Sequence, residues 1–416
     1  MKDTELLRLI TAGSVDDGKS TLIGRLLHDS KSIFEDQLSA MESTTKRRGL
    51  TGIDLSLLTD GLQAEREQGI TIDVAYRYFA TPKRKFIIAD TPGHEQYTRN
   101  MVTGASTANL AIILIDARRG VLTQTRRHAY LASLVGIPHL VVAVNKMDLA
   151  GYDRQTFEAI AEEFGQFASN LNLKNIIPIP ISALLGDNVV EKSQNMPWYQ
   201  GDTLMAVLEN IEIDHDINMA DFRFPVQWIC RPQTGEWHDF RGYMGRIESG
   251  SVKVGDGITV LPSGRTSRVR GISTYDGSLL EAAAPRSVTL LLEDEVDISR
   301  GDMIVKSDNL PKLSKEFDAM LCWLSEEPLD MGKRYLAKHG TKTTKILLNS
   351  LEYRVDVNTL ERESEITSLA MNDIARIGFK AQHPLPSDSY ARNHATGSFI
   401  LIDEVTNNTV AAGMMI

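Results

Sequence analysis

Residues 6–27 read LLRLITAGSVDDGKSTLIGRLL, and this stretch decides the fold. A short apolar run, Leu6 to Thr11, leads into Gly13-Ser14-Val15-Asp16-Asp17-Gly18-Lys19-Ser20, which has the form G-x-x-x-x-G-K-S. A helical pattern follows from Ser20 through Leu27. Strand, glycine-rich loop and helix in this order make a phosphate-binding loop. Gly13 and Gly18 permit backbone angles at which several N–H groups converge on anionic oxygens. The helix directs its positive end at the same point. Lys19 is placed to reach the β- and γ-phosphates, and the Ser20 hydroxyl to ligate Mg2+. A glycine-rich turn with an incidental Lys-Ser is the bland alternative. The loop specifies a nucleoside triphosphate without saying which one.

Outward from the loop, short apolar runs alternate with helical patterns. Strands are expected at residues 85–90, 110–115, 139–144 and 176–181, with helices over 124–135 and 154–170. The strands are nearly continuous apolar runs, as expected when both faces of a parallel sheet are covered. Phosphate chemistry then falls at the carboxyl ends of the strands. The character changes around Asp214 to Asp221. From Phe222 on, strand-like runs are broken by turns such as Val254-Gly255-Asp256-Gly257 and Leu261-Pro262-Ser263-Gly264. Short strands of this kind close into barrels. A second seam lies near Asp308 to Pro311. The expected fold is a doubly wound, mostly parallel α/β P-loop domain over 1–215, followed by two β-barrel domains over 216–309 and 310–416.

Further motifs fall at the strand ends. Asp90-Thr91-Pro92-Gly93-His94 follows the strand ending at Ala89. Asp90 is expected to hold Mg2+ through water. Gly93 can offer its N–H to the γ-phosphate, and His94 is the candidate to orient the attacking water. Asn145-Lys146-Met147-Asp148 follows the next strand but one. Asp148 can accept from guanine N1–H and the exocyclic amine. Asn145 bridges base and loops, and Lys146 lays its stem over the ring. Adenine lacks that donor pair, and such a site discriminates by roughly 10⁴-fold or more. Ser182-Ala183-Leu184 follows the next strand, and its N–H groups can meet guanine O6. Two base-reading loops specify GTP over ATP. Within Gln68-Gly69-Ile70-Thr71-Ile72, the Thr71 hydroxyl joins Mg2+ only when the γ-phosphate is present. The stretch from about Asp29 to Gln68 is long and charged, and is expected to be partly helical with a mobile end near Thr71. Gly13 to Ser20 with Thr21, Asp90 to His94, Asn145, Lys146, Asp148 and Ser182 to Leu184 form the expected GTP/GDP set. Lys19, Thr71, Gly93 and His94 carry the catalytic roles.

Bulk properties narrow the class. The chain has 416 residues, enough for several domains. Its formal net charge of −10 argues against a general nucleic-acid coat. The basic runs Lys46-Arg47-Arg48 and Arg118-Arg119 are expected to be solvated faces. Cys230 and Cys322 sit in apolar, strand-like surroundings, so buried reduced thiols are expected. No signal peptide and no run long enough to cross a bilayer is visible, and a cytoplasmic location is expected.

Together these motifs resemble the translation-factor class of GTPases. An α/β domain followed by two barrels looks like elongation factor Tu over nearly the whole chain. The resemblance implies a catalytic histidine at His94, flanked by an apolar gate at Val15 and Ile70. It also implies that Asp16 organises the P-loop and ligates a monovalent cation. Ser14, Asp17 and Ser20 depart from the elongation factor, which carries His, His and Thr there. Residues 24–31 and 33–37 are instead similar to the GTPase subunit of bacterial sulfate adenylyltransferase (ATP sulfurylase). So are residues 323–329 and 399–413. That similarity implies a smaller catalytic partner subunit, which joins ATP and sulfate into adenylyl sulfate and pyrophosphate while GTP hydrolysis drives the reaction. No membrane is implied, and no nucleic acid. Some such proteins carry a fused adenylylsulfate kinase, and no second phosphate loop precedes Ile416. The alternative is a translation factor delivering aminoacyl-tRNA.

Overall fold

The structure is a computed structural model and describes residues 5–30, 73–94, 97–213, 218–231 and 240–416. The chain divides into two compact units, Met1–Ile213 with Val357–Glu361, and Asp214–Asp356 with Arg362–Ile416.

The first unit is a six-stranded sheet flanked by helices. Its strands are β1 (Leu6–Ala12), β2 (Ala75–Ala80), β3 (Lys85–Asp90), β4 (Leu110–Asp116), β5 (His139–Asn145) and β6 (Asn175–Pro180). The order across the sheet is β2-β3-β1-β4-β5-β6. Only β2 runs antiparallel to its neighbour. β4 and β5 are buried at every position, the reason both read as unbroken apolar runs. β6 contains Pro178 and Pro180 and lies at the sheet edge, where a missing N–H costs no ladder bond.

Among the described residues this unit has five helices: α1 (Lys19–Asp29), α2 (Thr98–Ala105), α3 (Thr123–Leu134), α4 (Arg154–Ala168) and α5 (Leu204–Asn210). α4 buries Phe157, Ile160, Phe164 and Phe167, one helical face. Its N-cap Asp153 accepts from the Thr156 N–H at 2.8 Å. α1 has no such cap. Gly18 precedes it in a left-handed conformation with no side-chain bond to the first turn.

The parallel register brings the functional ends of the strands to one edge. Thr11 pairs with Asp90, and Asp116 with Asn145. β1, β3, β4 and β5 therefore release their loops side by side.

The second unit holds two closed six-stranded barrels. The first comprises β7 (Arg223–Cys230), β8 (Gly242–Arg246), β10 (Gly257–Leu261), β11 (Arg265–Thr274), β14 (Ser287–Leu292) and β15 (Met303–Lys306), closed by β10 against β11. Short β9 (Ser251–Lys253), β12 (Gly277–Leu279) and β13 (Glu281–Ala283) lie around it. The second comprises β16 (Lys312–Trp323), β17 (Tyr335–His339), β18 (Lys342–Val355), β20 (Ile374–Ser387), β21 (Ser398–Asp403) and β22 (Thr409–Met415), closed by β17 against β18. β19 (Arg362–Glu363) extends β18, and a short α6 (His394–Gly397) precedes β21. Phe317, Phe379 and Phe399 meet inside this barrel, with centroids 5.4–5.6 Å apart.

A polar clasp joins the two barrels. Arg223 is buried and donates to both carboxylate oxygens of Asp388, at 2.8 and 2.9 Å. It also donates to the Asn309 carbonyl at 2.9 Å. Arg392 makes the reciprocal bidentate pair with Asp221, at 2.6 and 2.8 Å.

Cys322 is buried as expected, but Cys230 is only half-buried. It ends β7 where the strand leaves the core, two residues after Trp228, which is 66% exposed.

Candidate nucleotide-binding site

The loop from Gly13 to Ser20 is built from strained backbone and buried charge. Gly13, Asp16 and Gly18 have φ of 154°, 67° and 96°. A Cβ on Gly18 would lie 2.4 Å from Asn145 Nδ2, so only glycine fits there. Asp17 is buried, and its Oδ2 accepts from the Ser14 N–H at 2.6 Å. Burial raises its carboxyl above the usual range, with Lys19 opposing. Lys19 Nζ lies within the loop, donating to the Gly13 and Ser14 carbonyls at 3.0 and 2.9 Å. Burial lowers its ammonium, and Asp90, Asp17 and Asp16 oppose the shift.

The cradle fits a phosphate chain. The first turn of α1 has no side-chain cap, and its N–H groups open beside Lys19. Gly93 is buried in the opposite wall, where a Cβ would fall 2.4 Å from Lys19 Nζ and 2.6 Å from the Gly13 carbonyl. Thr91 is buried and donates to the Thr11 carbonyl at 2.6 Å, fixing the turn through Pro92. Ser20 and the buried Asp90 carboxylate supply hard oxygen donors, as Mg2+ requires. Thr21 follows on α1. His94 is half-buried, its ring 6.1 Å from that of Tyr97. Gln68 to Ile72, with Thr71 and Ile70, lie outside the described residues, as do Lys46 to Arg48 and most of Asp29 to Gln68.

Asn145 ties the loop after β6 to the phosphate loop. Its Nδ2 donates to the Asp17 carbonyl at 2.8 Å, and its Oδ1 accepts from the Ala183 N–H at 2.9 Å. The Ser182 N–H donates to the Asp187 carbonyl at 3.2 Å. Two of the three N–H groups expected to face guanine O6 are thus engaged within the protein. Leu184 supplies the third. Asp148 is half-buried, with no hydrogen bond or ion pair among the described residues. Its carboxylate is available for a base.

Four side chains with no site role expected from the sequence complete the frame. Asp116, at the end of β4, receives the Arg118 guanidinium in two bonds of 3.0 and 2.7 Å and Lys146 Nζ at 3.0 Å. Burial opposes, but these cations hold its carboxyl well below the usual range. Lys146 also bonds the Asp16 carbonyl. Arg118 and Arg119 are therefore more than a solvated face, and Arg119 reaches the Val15 carbonyl at 3.4 Å. The fourth is Arg25 on α1, which holds the Ala183 carbonyl at 3.2 Å and that of Leu184. The detectable signal was a charged residue closing an otherwise apolar strand. Arg25 gave none.

Among the described residues no helix is long and apolar enough to cross a membrane. The Elongation factor Tu GTP binding domain matches residues 4–216, and the GTP-eEF1A C-terminal domain-like family matches residues 316–416. The chain is 58% identical over 414 residues to "Sulfate adenylyltransferase subunit 1" of Saccharophagus degradans, covering 99% of this chain and 87% of that protein. It is 58% identical over 417 residues to the protein of the same name from Aliarcobacter butzleri, covering 100% and 88%. It is also 58% identical to "Bifunctional enzyme CysN/CysC" of Mycobacterium tuberculosis, covering 99% of this chain and 67% of that protein. With a phosphate loop at the edge of an α/β sheet, two barrels after it, and 58% identity to subunit 1 proteins over the whole chain, this chain belongs to the sulfate adenylyltransferase subunit 1 family of elongation factor Tu-type GTPases.

Proposed function

We propose that the chain is the GTP-hydrolysing subunit of ATP sulfurylase, and that hydrolysis drives formation of adenylyl sulfate and pyrophosphate on a smaller catalytic subunit in the cytoplasm. The observation that carries this reading is the frame around Lys19, Asn145 and Asp148, together with 58% identity to subunit 1 proteins over the whole chain. A separate smaller subunit fits the name "subunit 1" that those relatives carry. The functional division we assign is 1–215, 216–309 and 310–416.

In this reading Gly13 to Thr21 wraps the phosphates, with Lys19 turning from its own loop carbonyls to the β- and γ-oxygens. Gly93 gives its N–H to the γ-phosphate. Ser20, Thr71 and Asp90 would hold Mg2+, which would supply positive charge against that developing on the phosphates. His94 orients the attacking water. Asp148 reads the guanine edge, Leu184 N–H meets O6, and Asn145 keeps both loops in register. Contacts present only with the γ-phosphate, at Lys19, Thr71 and Gly93, bias the chain between two states that the partner senses. Shifting such an equilibrium from 1:99 to 99:1 takes about 5.5 kcal/mol of differential binding. Single-turnover GTP hydrolysis tests the roles. His94→Ala should keep GTP bound and slow turnover by roughly 10²-fold or more. A rate within about twofold of the parent chain would remove His94 from the mechanism.

A further inference from the structure

The C-terminal barrel carries a notch that the nucleotide chemistry does not use. β16 and β20 pair from Lys312↔Ser387 to Ser314↔Leu385, and again from Glu316↔Lys380 onward. Between the two runs β16 has only Lys315, whereas β20 has residues 381–384. The unequal count opens the ladder and re-aims the side chains at the break. On its other edge β20 stays paired, with Ala381 opposite Ile346 and Lys380 opposite Leu347. The opening is a cavity of about 370 Å³, within the range of small-molecule sites.

Its apolar floor is the buried Ile346 and Ala381, with the exposed Leu347 beside them, and Lys315, Arg334, Lys345 and Lys380 also line it. Two of these cations are matched: Lys345 pairs with Glu404 at 3.3 Å, and Lys380 with Glu316 at 3.0 Å. Lys315 and Arg334 have no ion-pair partner among the described residues. Two uncompensated positive charges thus face one opening, in a chain whose formal net charge is −10.

We propose that this notch binds a diphosphate-class anion, with Lys315 and Arg334 as its recognition cations. Two charges of different geometry suit two linked phosphates. The guanidinium offers a planar fork to one, and the ammonium a point charge to the other. A single carboxylate would leave one cation unmatched. The apolar floor admits a body attached to the diphosphate, so the ligand can arrive free or as part of a nucleotide.

The test is titration calorimetry on the full chain with its P-loop site saturated by GDP and Mg2+, using inorganic pyrophosphate and then ATP as probes. Binding of either probe beyond the GDP site supports the proposal, provided Lys315→Ala with Arg334→Ala weakens it at least tenfold and leaves GDP affinity unchanged. Tighter binding of ATP assigns the floor to a nucleoside, and equal binding assigns the site to the free anion. Exchanging the two, Arg334→Lys with Lys315→Arg, keeps both charges but moves the planar fork, and should weaken binding less than the alanine pair does. Absence of binding by either probe, or equal binding by the alanine variant, overturns the proposal. So does loss of smaller-subunit capture in that variant when neither probe binds, which would assign the notch to protein carboxylates.

Discussion

Asn145 and Ala183 are joined across the base-reading edge: the Ala183 N–H donates to the Asn145 carboxamide oxygen at 2.9 Å, while the other end of that carboxamide holds the Asp17 carbonyl at 2.8 Å. One side chain on β5 therefore sets the distance between the phosphate loop and the loop after β6. Asn145→Ala removes both bonds inside a buried site. Stability should fall by about 1–3 kcal/mol, because an N–H and a carbonyl are left without partners. GTP and GDP affinity should fall together, as the distortion is common to both. Urea unfolding with nucleotide titration measures both effects.

Gly93→Ala acts on the opposite wall. The added methyl would meet Lys19 Nζ at 2.4 Å, displacing a buried lysine rather than a loose surface group. GTP affinity should drop at least tenfold and more steeply than GDP affinity, since the displaced Lys19 is assigned to both the β- and γ-phosphates and the Gly93 N–H to the γ-phosphate alone. Parallel competition titrations with the two nucleotides read the ratio.

Asp148→Asn exchanges an acceptor pair for an acceptor and a donor. On the proposed base contact, xanthosine triphosphate should then be preferred over GTP. Unchanged preference for GTP would remove Asp148 from base recognition.

Stability should depend on pH through two buried histidines, one in each unit. Burial, with Lys19 and Arg127 adding to it, lowers His128 to about 3. Burial also lowers His339, opposed by the carbonyls of Ser398 and Pro386, which lie 2.9 and 3.1 Å from its ring nitrogens. Both histidines stay neutral in the folded chain at pH values where the unfolded chain takes up a proton. Stability is therefore full above pH ~6.5 and is lost as pH falls below it, by roughly 1 kcal/mol from His128 at pH ~5.5 and in the same direction from His339. Denaturation midpoints at pH 7.5 and 5.5 check the sign, and His128→Gln should flatten the dependence of the first unit.

Arg223→Ala should cost the second unit about 3–5 kcal/mol by stranding the buried Asp388 carboxylate. Removing both charges, with Arg223→Met and Asp388→Leu, should cost less than the single change. A double-mutant cycle followed by thermal unfolding measures the coupling.

The sheet was legible in sequence because β4 and β5 are covered on both faces and so are apolar throughout. β2 was not, since it is an edge strand with Tyr76 and Tyr78 exposed and only Phe79 buried, so it lacks an unbroken apolar run. The phosphate loop, Asp90 turn and Asn145 loop were legible because each follows a buried strand at fixed spacing. The bonds that hold them together were not. Arg25 reaches the Ala183 carbonyl across 158 residues, a relationship that no local pattern encodes. Engagement of the Ala183 N–H by Asn145 was equally hidden, since it depends on how far apart the two loops sit.

The most direct measurement is sulfate-dependent pyrophosphate release by this chain together with the smaller catalytic subunit, with and without GTP. A GTPase that drives adenylyl transfer predicts strong stimulation by GTP, none by GDP, and loss of stimulation in His94→Ala. Equal release with and without GTP, or full stimulation in His94→Ala, would contradict it.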